Sequence, residues 1–498
     1  MQRPTRRRKY SKRSLNGCRT CRVRHVKCDE APGVCDNCQS TGRKCDGYDM
    51  HRLPAKRQSL TFIPKPLPHL GWTTTTDERR CFSYFQRCSI PGLGALFETP
   101  LWSRVILQIG HADPAVYHAA NMLGAVHEDS AANKMRLSGE NLQRARHRFA
   151  IQQASRAYSC LWKRQTSNDP QFREVMLVCC LLFVMSELLL GRYQNAFQHL
   201  HSGLHIIKET QEHHRKLCLD DSLIRVFERL DIESSHFGPG TPFLFTHGRI
   251  NDDLQISDVF SKMANVADVH RNVTILLNMG SPFLARCWPC SAAEIAAEYD
   301  ELFQKQQYIL LLNYEFQKCF SIFYRDLYNS LNHRDQGCID VLQVQSLGQI
   351  LSLKTCLIKG PVTESLTPEY RALLLAVQEF MAKFPDRPTF TLDYGVLPTL
   401  WVIASQCPDY AIRLEAIRTV QSWPHCEGIV NSNVITSMAL NNLKADLRIP
   451  GQPDGAIIDA ETEEQLSRFL FDTLNSSEQA TKWSFIRGHY VLRGNVNS

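Results

Sequence analysis

The run CRTCRVRHVKCDEAPGVCDNCQSTGRKC, from Cys18 to Cys45, holds six cysteines: Cys18, Cys21, Cys28, Cys35, Cys38 and Cys45. Each half reads C-x2-C-x6-C, and a further six-residue loop joins the halves. A single C-x2-C pair carries little information. Two tandem copies, each with a third cysteine seven residues on, place six thiolates within 28 residues. Tetrahedral zinc takes four ligands, so six cysteines close two sites only if two of them bridge both ions. The spacing therefore implies a binuclear cluster, with two Zn2+ per chain.

Six thiolates and two Zn2+ leave about two net negative charges, which a cationic surround stabilises. Arg19, Arg22, Arg24 and Lys27 supply it. The segment Arg22-Val23-Arg24-His25-Val26-Lys27 is compatible with a short helix whose basic side chains fan outward, the arrangement that contact with DNA phosphates and the acceptor edge of guanine needs. Here the chain resembles the fungal Zn2Cys6 binuclear-cluster transcription factors. Their pattern, C-R-x-C-R-x-R-x-x-K-C-D, is matched by Cys18-Arg19-Thr20-Cys21-Arg22-Val23-Arg24-His25-Val26-Lys27-Cys28-Asp29. The resemblance implies that Cys18 and Cys35 bridge the two zincs. It also implies that Arg24 and His25 read a CGG-type triplet in the major groove of double-stranded DNA, while Arg22 and Lys27 meet phosphates. His25 departs from the commoner Lys or Arg, and a neutral imidazole offers one donor at most.

The competing reading of the cysteines is a disulfide framework, as in small secreted domains. Two observations oppose it. Met1 to Ser14 is basic, but no apolar stretch of a secretory signal follows it. The other 13 of the 19 cysteines are an odd set scattered through apolar runs such as Val178-Cys179-Cys180-Leu181, as reduced, buried thiols would be.

The 498 residues are 43% hydrophobic and 21% charged, enough for one large core or two smaller ones beyond the finger. The net charge of +7 is uneven: residues 1–60 carry +11 and the remainder −4. A basic end beside a mildly acidic body is the footprint of a nucleic-acid reader joined to a separate domain. Arg6, Arg7, Arg8 and Lys9, with Lys12 and Arg13, read as a nuclear import signal, a phosphate-binding arm, or both, against the alternative of a solvated tail, and the protein is expected in the nucleus. No membrane span is expected, because the most apolar run, Val175 to Leu190, is short and interrupted by Ser186 and Glu187.

The expected organisation is a basic arm (1–14), a Zn2Cys6 finger with two short helices (15–48), a Pro-rich linker (49–75) and a large all-α regulatory domain of packed antiparallel helices (76–498). In the linker, Pro54, Pro64, Pro66 and Pro68 prevent a long helix, and no a/d repeat offers a dimerising coiled coil. Beyond it, Thr75 and Glu78 have the spacing of a capping box, and Phe82 and Phe85 are expected on one face of the helix that follows. Apolar residues recur at three- and four-residue steps in 115–126, 142–161, 175–190, 193–207 and 369–384. Alternating strand patterns are scarce, and the run Gly240 to Phe245 reads as loop.

The body is similar to the helical regulatory region of many filamentous-fungal members of the family. The passages that carry the similarity are Leu101-Trp102-Ser103-Arg104 through His118-Ala119-Ala120, Glu187 through Leu200 with Gly203-Leu204, and Arg413 through Ile417 to Glu427-Gly428. Gly191 and Gly203 suit a tight helix end or a close helix approach.

Enzyme chemistry finds no support in the sequence. Cys287-Trp288-Pro289-Cys290 has redox spacing but lacks the strand-then-helix context and a second pair, and is expected to be structural. His213-His214, and His199 with His201 and His205, carry no intervening carboxylate of the H-E-x-x-H kind and read as structural. No phosphate-binding glycine loop or G-x-S-x-G elbow is present.

The function implied is a sequence-specific RNA polymerase II transcription regulator acting at CGG-type promoter elements, of the kind dedicated to a metabolic gene cluster. Its partners would be DNA, the transcription machinery or coregulators, a small-molecule effector of the body, and a second copy joined through the helical domain. Glu461 to Glu464 and the polar C-terminus read as a solvated tail or a coactivator contact. The rival reading is a zinc-finger scaffold that binds RNA or protein.

Overall fold

The computed structural model describes residues 17–45 except 25, 32 and 33. It also describes 71–446 except 98, 99, 138–140, 168, 170, 213–218, 237–241, 245–259, 261 and 262. The basic arm, His25, His213-His214, linker residues 49–70 and the acidic stretch near the C-terminus lie outside the described residues. The chain divides into two compact units, Met1–Ile63 with Leu142–Phe149, and Pro64–Asn141 with Ala150–Ser498.

The first unit carries two short helices, α1 (Arg19–Val23) and α2 (Asp36–Gln39). The helix expected over Arg22–Lys27 is displaced toward the N-terminus. The Cys18 sulfur accepts the Cys21 N–H at 3.3 Å and starts the helix there. The carbonyl of Lys27 is instead held by the Asn37 side-chain amide at 2.5 Å, which takes that end of the segment out of the helix.

The second unit is built almost wholly of helices. In chain order these are α3 (Thr76–Tyr84), α4 (Ile90–Leu93), α5 (Ile106–Ala112), α6 (Pro114–Ala132), α7 (Ala145–Trp162, whose first turns fall in the first unit), α8 (Phe172–Leu189) and α9 (Tyr193–Glu212). Next come α10 (Asp221–Ser234), α11 (Val266–Cys287), α12 (Ala292–Ala297), α13 (Tyr299–Leu327) and α14 (His333–Thr355). The last are α15 (Thr367–Lys383), α16 (Leu397–Gln406), α17 (Tyr410–Ser422) and α18 (Ser432–Asp446). The five periodic stretches of the sequence coincide with α6, α7, α8, α9 and α15.

Helix α3 opens on the expected capping box, with the Thr75 hydroxyl accepting the Glu78 N–H at 3.2 Å and the Glu78 carboxylate accepting the Thr75 N–H at 2.7 Å. Phe82 then packs its ring 4.8 Å from Tyr117 of α6 and 6.1 Å from Phe85. Helix α8 lies between α6 and α9, which is why it is apolar nearly all round, while α11, α13 and α14 pack together and α14 hands on to α15 and α16. A phenylalanine-rich core forms where Phe316 and Phe320 meet Val269, Val273, Leu276 and Ile339.

The glycines serve packing. Gly191 takes a φ of +74° in the turn between α8 and α9, where the Arg192 side chain bonds Glu187 at 2.5 Å. A Cβ on Gly203 would stand 2.2 Å from the Phe227 ring of α10, so only glycine lets α9 and α10 approach this closely.

A small sheet, unforeseen in the sequence, joins β1 (Phe390–Thr391), β2 (Cys426–Glu427) and β3 (Val430–Asn431) in the order β1-β2-β3. The first pair is parallel and the second antiparallel. Its two-residue strands are too short to show alternation. Buried Glu427 accepts the N–H groups of Gly395, Val396 and Leu397, each at 2.9 Å, and so caps the start of α16. Arg413 donates to the Ala404 carbonyl at 2.9 Å and to Asp446 at 2.6 Å, which ties α17 to α16 and α18. Among the described residues no helix is long and apolar enough to cross a membrane.

Candidate metal centre and nucleic-acid interface

The two halves of the finger repeat one local geometry. Cys18 and Cys35 each stand just before a short helix and each accept, through sulfur, the N–H of the cysteine three residues on, both at 3.3 Å. The repeat brings the sulfurs of both halves together, with Cys18 to Cys35 at 3.5 Å, Cys21 to Cys35 at 3.6 Å and Cys18 to Cys38 at 3.7 Å. Five of the six cysteines are buried and Cys45 is half-buried. Among the described residues, the buried hydrophobic core of the finger consists of these cysteines.

The sulfurs form two tetrads, Cys18-Cys21-Cys28-Cys35 and Cys18-Cys35-Cys38-Cys45, each with all ligand atoms within 4.8 Å of one another. Cys18 and Cys35 belong to both. A tetrahedron with bonds of about 2.3 Å has edges of about 3.8 Å, so these separations suit zinc thiolate coordination. The six cysteines are thus positioned for a binuclear zinc site, and the metal takes the place of the missing hydrophobic core.

Side chains between the ligands hold the tetrads in place. The Asp29 carboxylate accepts the N–H groups of Asp36 at 2.9 Å, Asn37 at 3.2 Å and Ala31 at 3.3 Å. These bonds, that from Asp36 first, hold its pKa below the ordinary aspartate value. The loop after Cys28 is thereby pinned to the helix bearing Cys38. The Thr20 hydroxyl donates to the Lys44 carbonyl at 3.2 Å, and Thr41 to the Asn37 carbonyl at 2.6 Å. Sequence reasoning did not assign these residues, although Asp29 stands inside the matched pattern.

Of the four expected DNA contacts, Arg22 lies on α1. Arg24 is half-buried, with one guanidinium nitrogen 3.2 Å from the Thr41 hydroxyl, and Lys27 is exposed. His25 is outside the described residues. Val23 and Val26 are exposed between them.

Residues 16–53 match the family model of the fungal Zn(2)-Cys(6) binuclear cluster domain. The chain carries this zinc-cluster domain. Downstream of the Zn2Cys6 finger, residues 80–248 match the fungal specific transcription factor domain. The chain is similar to the aspercryptin biosynthesis cluster-specific transcription regulator atnN of Emericella nidulans, at 28% identity over 47% of this chain and 42% of that protein. It is also similar to the transcription regulator lscL of Purpureocillium lilacinum, at 27% identity over 40% of this chain and 50% of that protein. Transcriptional regulatory protein moc3 of Schizosaccharomyces pombe is 48% identical over 55 residues, 11% of this chain and 10% of that protein. The chain thus spans half or less of the length of these relatives. No solved structure matches it.

The other candidates of the sequence have structural surroundings. Cys287 ends α11, buried beside Cys356; their hydrogen bond and burial push its thiol up, and burial does the same to Cys290. A raised pKa is the opposite of what a redox nucleophile needs. His201 and His205 stack at 4.6 Å with Phe243 against both rings, and His199 lies 3.1 Å from the Tyr158 hydroxyl.

Proposed function

We propose that the protein is a nuclear, sequence-specific RNA polymerase II transcription regulator whose Zn2Cys6 finger binds CGG-type elements in double-stranded DNA. One observation carries the reading: two cysteine tetrads share Cys18 and Cys35, beside a basic segment that faces solvent at Lys27. Cys18 and Cys35 would bridge the two zincs. Arg22 and Lys27 would neutralise phosphates, and Arg24 and His25 would read bases. Arg24 gives one guanidinium nitrogen to Thr41, and the fork of five N–H donors would let it address a guanine edge as well. The arm formed by Arg6, Arg7, Arg8, Lys9, Lys12 and Arg13 would add phosphate contacts and direct nuclear import. The divisions at 14, 48 and 75 separate arm, finger, linker and body in this reading.

A gene-cluster-specific role is supported by the similarity to a regulator named for one biosynthetic cluster. The helical body would then control activity through coregulators, a small-molecule effector or body-to-body pairing. Fluorescence anisotropy of the zinc-loaded full chain tests the DNA reading. A CGG-containing duplex should bind at least about tenfold more tightly than a scrambled duplex of equal length at equal salt, and equal affinity would contradict it.

A further inference from the structure

Helix α13 has two unlike faces. Its inner face, including Leu302, Ile309, Phe316 and Phe320, is buried and packs on α11 and α14. Its outer face carries Tyr299, Phe303, Tyr308, Leu311, Tyr314 and Ile322, each 40% to 54% exposed. Leu311 and Tyr314, neighbours at the middle of this face, are exposed apolar groups of the kind that mark an interaction surface. Exposed residues also recur along the helix at steps of three and four: Asp300, Gln304, Gln307, Leu311, Tyr314, Lys318, Ser321 and Arg325. That is the period of a helix–helix seam. The row begins acidic, is apolar at its centre and ends basic, so it complements its own reverse.

We propose that this face pairs with the same face of a second copy of the chain, antiparallel about a two-fold axis between Leu311 and Tyr314. In that register Leu311 meets the partner's Tyr314, Gln307 meets the partner's Lys318, and Asp300 meets the partner's Arg325. Each contact occurs twice, as an isologous interface requires. A parallel arrangement would instead set Asp300 against Asp300 and Arg325 against Arg325. Arg325 also holds Asp326 at 2.7 Å, an exposed pair that is weak enough to leave the guanidinium available. The seam runs about 38 Å at 1.5 Å per residue. A single helix pair lies at the low end of specific interfaces, near about 1,200 Å² in total, so the dimer is reversible. The assignment rests on the body-to-body pairing proposed above and names the surface that performs it.

Sedimentation velocity on the zinc-loaded full chain, across a range of concentrations, tests the proposal. The unaltered protein should pass from monomer to dimer as concentration rises. Leu311→Glu combined with Tyr314→Glu should weaken the dimer about 100-fold, because two charges per copy enter the centre of the seam. Asp300→Arg alone, or Arg325→Asp alone, should weaken it about tenfold, and the two together should restore it. All four positions are exposed, so a circular-dichroism melt matching the unaltered protein shows that the fold is kept. An unaltered chain that stays monomeric throughout removes body pairing and this face with it. A dimer that survives the Leu311/Tyr314 change keeps body pairing but overturns this face, and a charge swap that fails to restore the dimer overturns the antiparallel register.

Discussion

Asp29 follows Cys28 directly, and its carboxylate reaches across to the N–H groups of Asp36 and Asn37, which lie between Cys35 and Cys38. It joins the two halves of the finger without being a ligand. Asp29→Ala should therefore leave all six sulfurs present but lower zinc affinity about tenfold, measured by competition with a chromogenic chelator. The contacts to DNA divide differently. Lys27→Ala should weaken binding to every duplex alike and flatten the log-log salt dependence by about one unit. Loss of sequence preference with the slope unchanged would contradict a phosphate role. His25→Lys should favour guanine-containing half-sites, because an ammonium makes charge-assisted bonds to O6 and N7 where neutral imidazole offers one ordinary donor. Selection from a randomised duplex library reads the outcome. In the body, burial alone would raise the Glu78 carboxyl, but the Thr75 N–H, Gln153 and Arg156 together hold it below its ordinary value. A depressed carboxyl stabilises the fold above its unfolded pKa, and that stabilisation is lost as pH falls through the folded value. Glu78→Ala should cost about 2 kcal/mol at neutral pH and flatten the acid limb of stability against pH, as urea unfolding at several pH values would record.

At the scale of elements, Gly203→Ala sets two effects against each other. Alanine raises helix propensity by up to about 1 kcal/mol, but its methyl group would stand 2.2 Å from the Phe227 ring and force α9 away from α10. Overpacking of this kind costs about 1–3 kcal/mol, so the variant should be less stable, with a lower urea midpoint. The same helices show what the sequence makes legible. The 3.6-residue period of 193–207 and the Thr75/Glu78 pair are local signals, and α9 and the α3 capping box answer them. What escaped depends on distant partners. The segment Arg22–Lys27 is compatible in sequence with a short helix. The helix instead starts at Arg19 because the Cys18 sulfur caps it, and Asn37, ten residues on, draws Lys27 out. The β1-β2-β3 sheet pairs residues 390–391 with 426–427, and two-residue strands leave no periodic trace. Asp29 receives no role from the sequence alone, because two of its three donors, Asp36 and Asn37, lie seven and eight residues on and only the folded cluster brings them near.

For the whole molecule, charge is divided as +11 in residues 1–60 and −4 beyond, and in the proposed function the basic part would meet DNA while the body would serve regulation. One finger touches few base pairs, so a single half-site should bind weakly. Two chains held through their bodies make the second contact intramolecular, and the full chain should prefer paired half-sites to a single one by about 100-fold. A gel-shift titration with both duplexes measures the difference. All of this depends on the cluster itself, since a finger whose core, among the described residues, is built of cysteines needs metal to fold. Native mass spectrometry of the full chain, purified without chelator, addresses it most directly. The account predicts the mass of the chain plus two zinc ions, with both lost when excess chelator unfolds the finger. One zinc per chain, or a metal-free chain with its first six cysteines joined as disulfides, would contradict it.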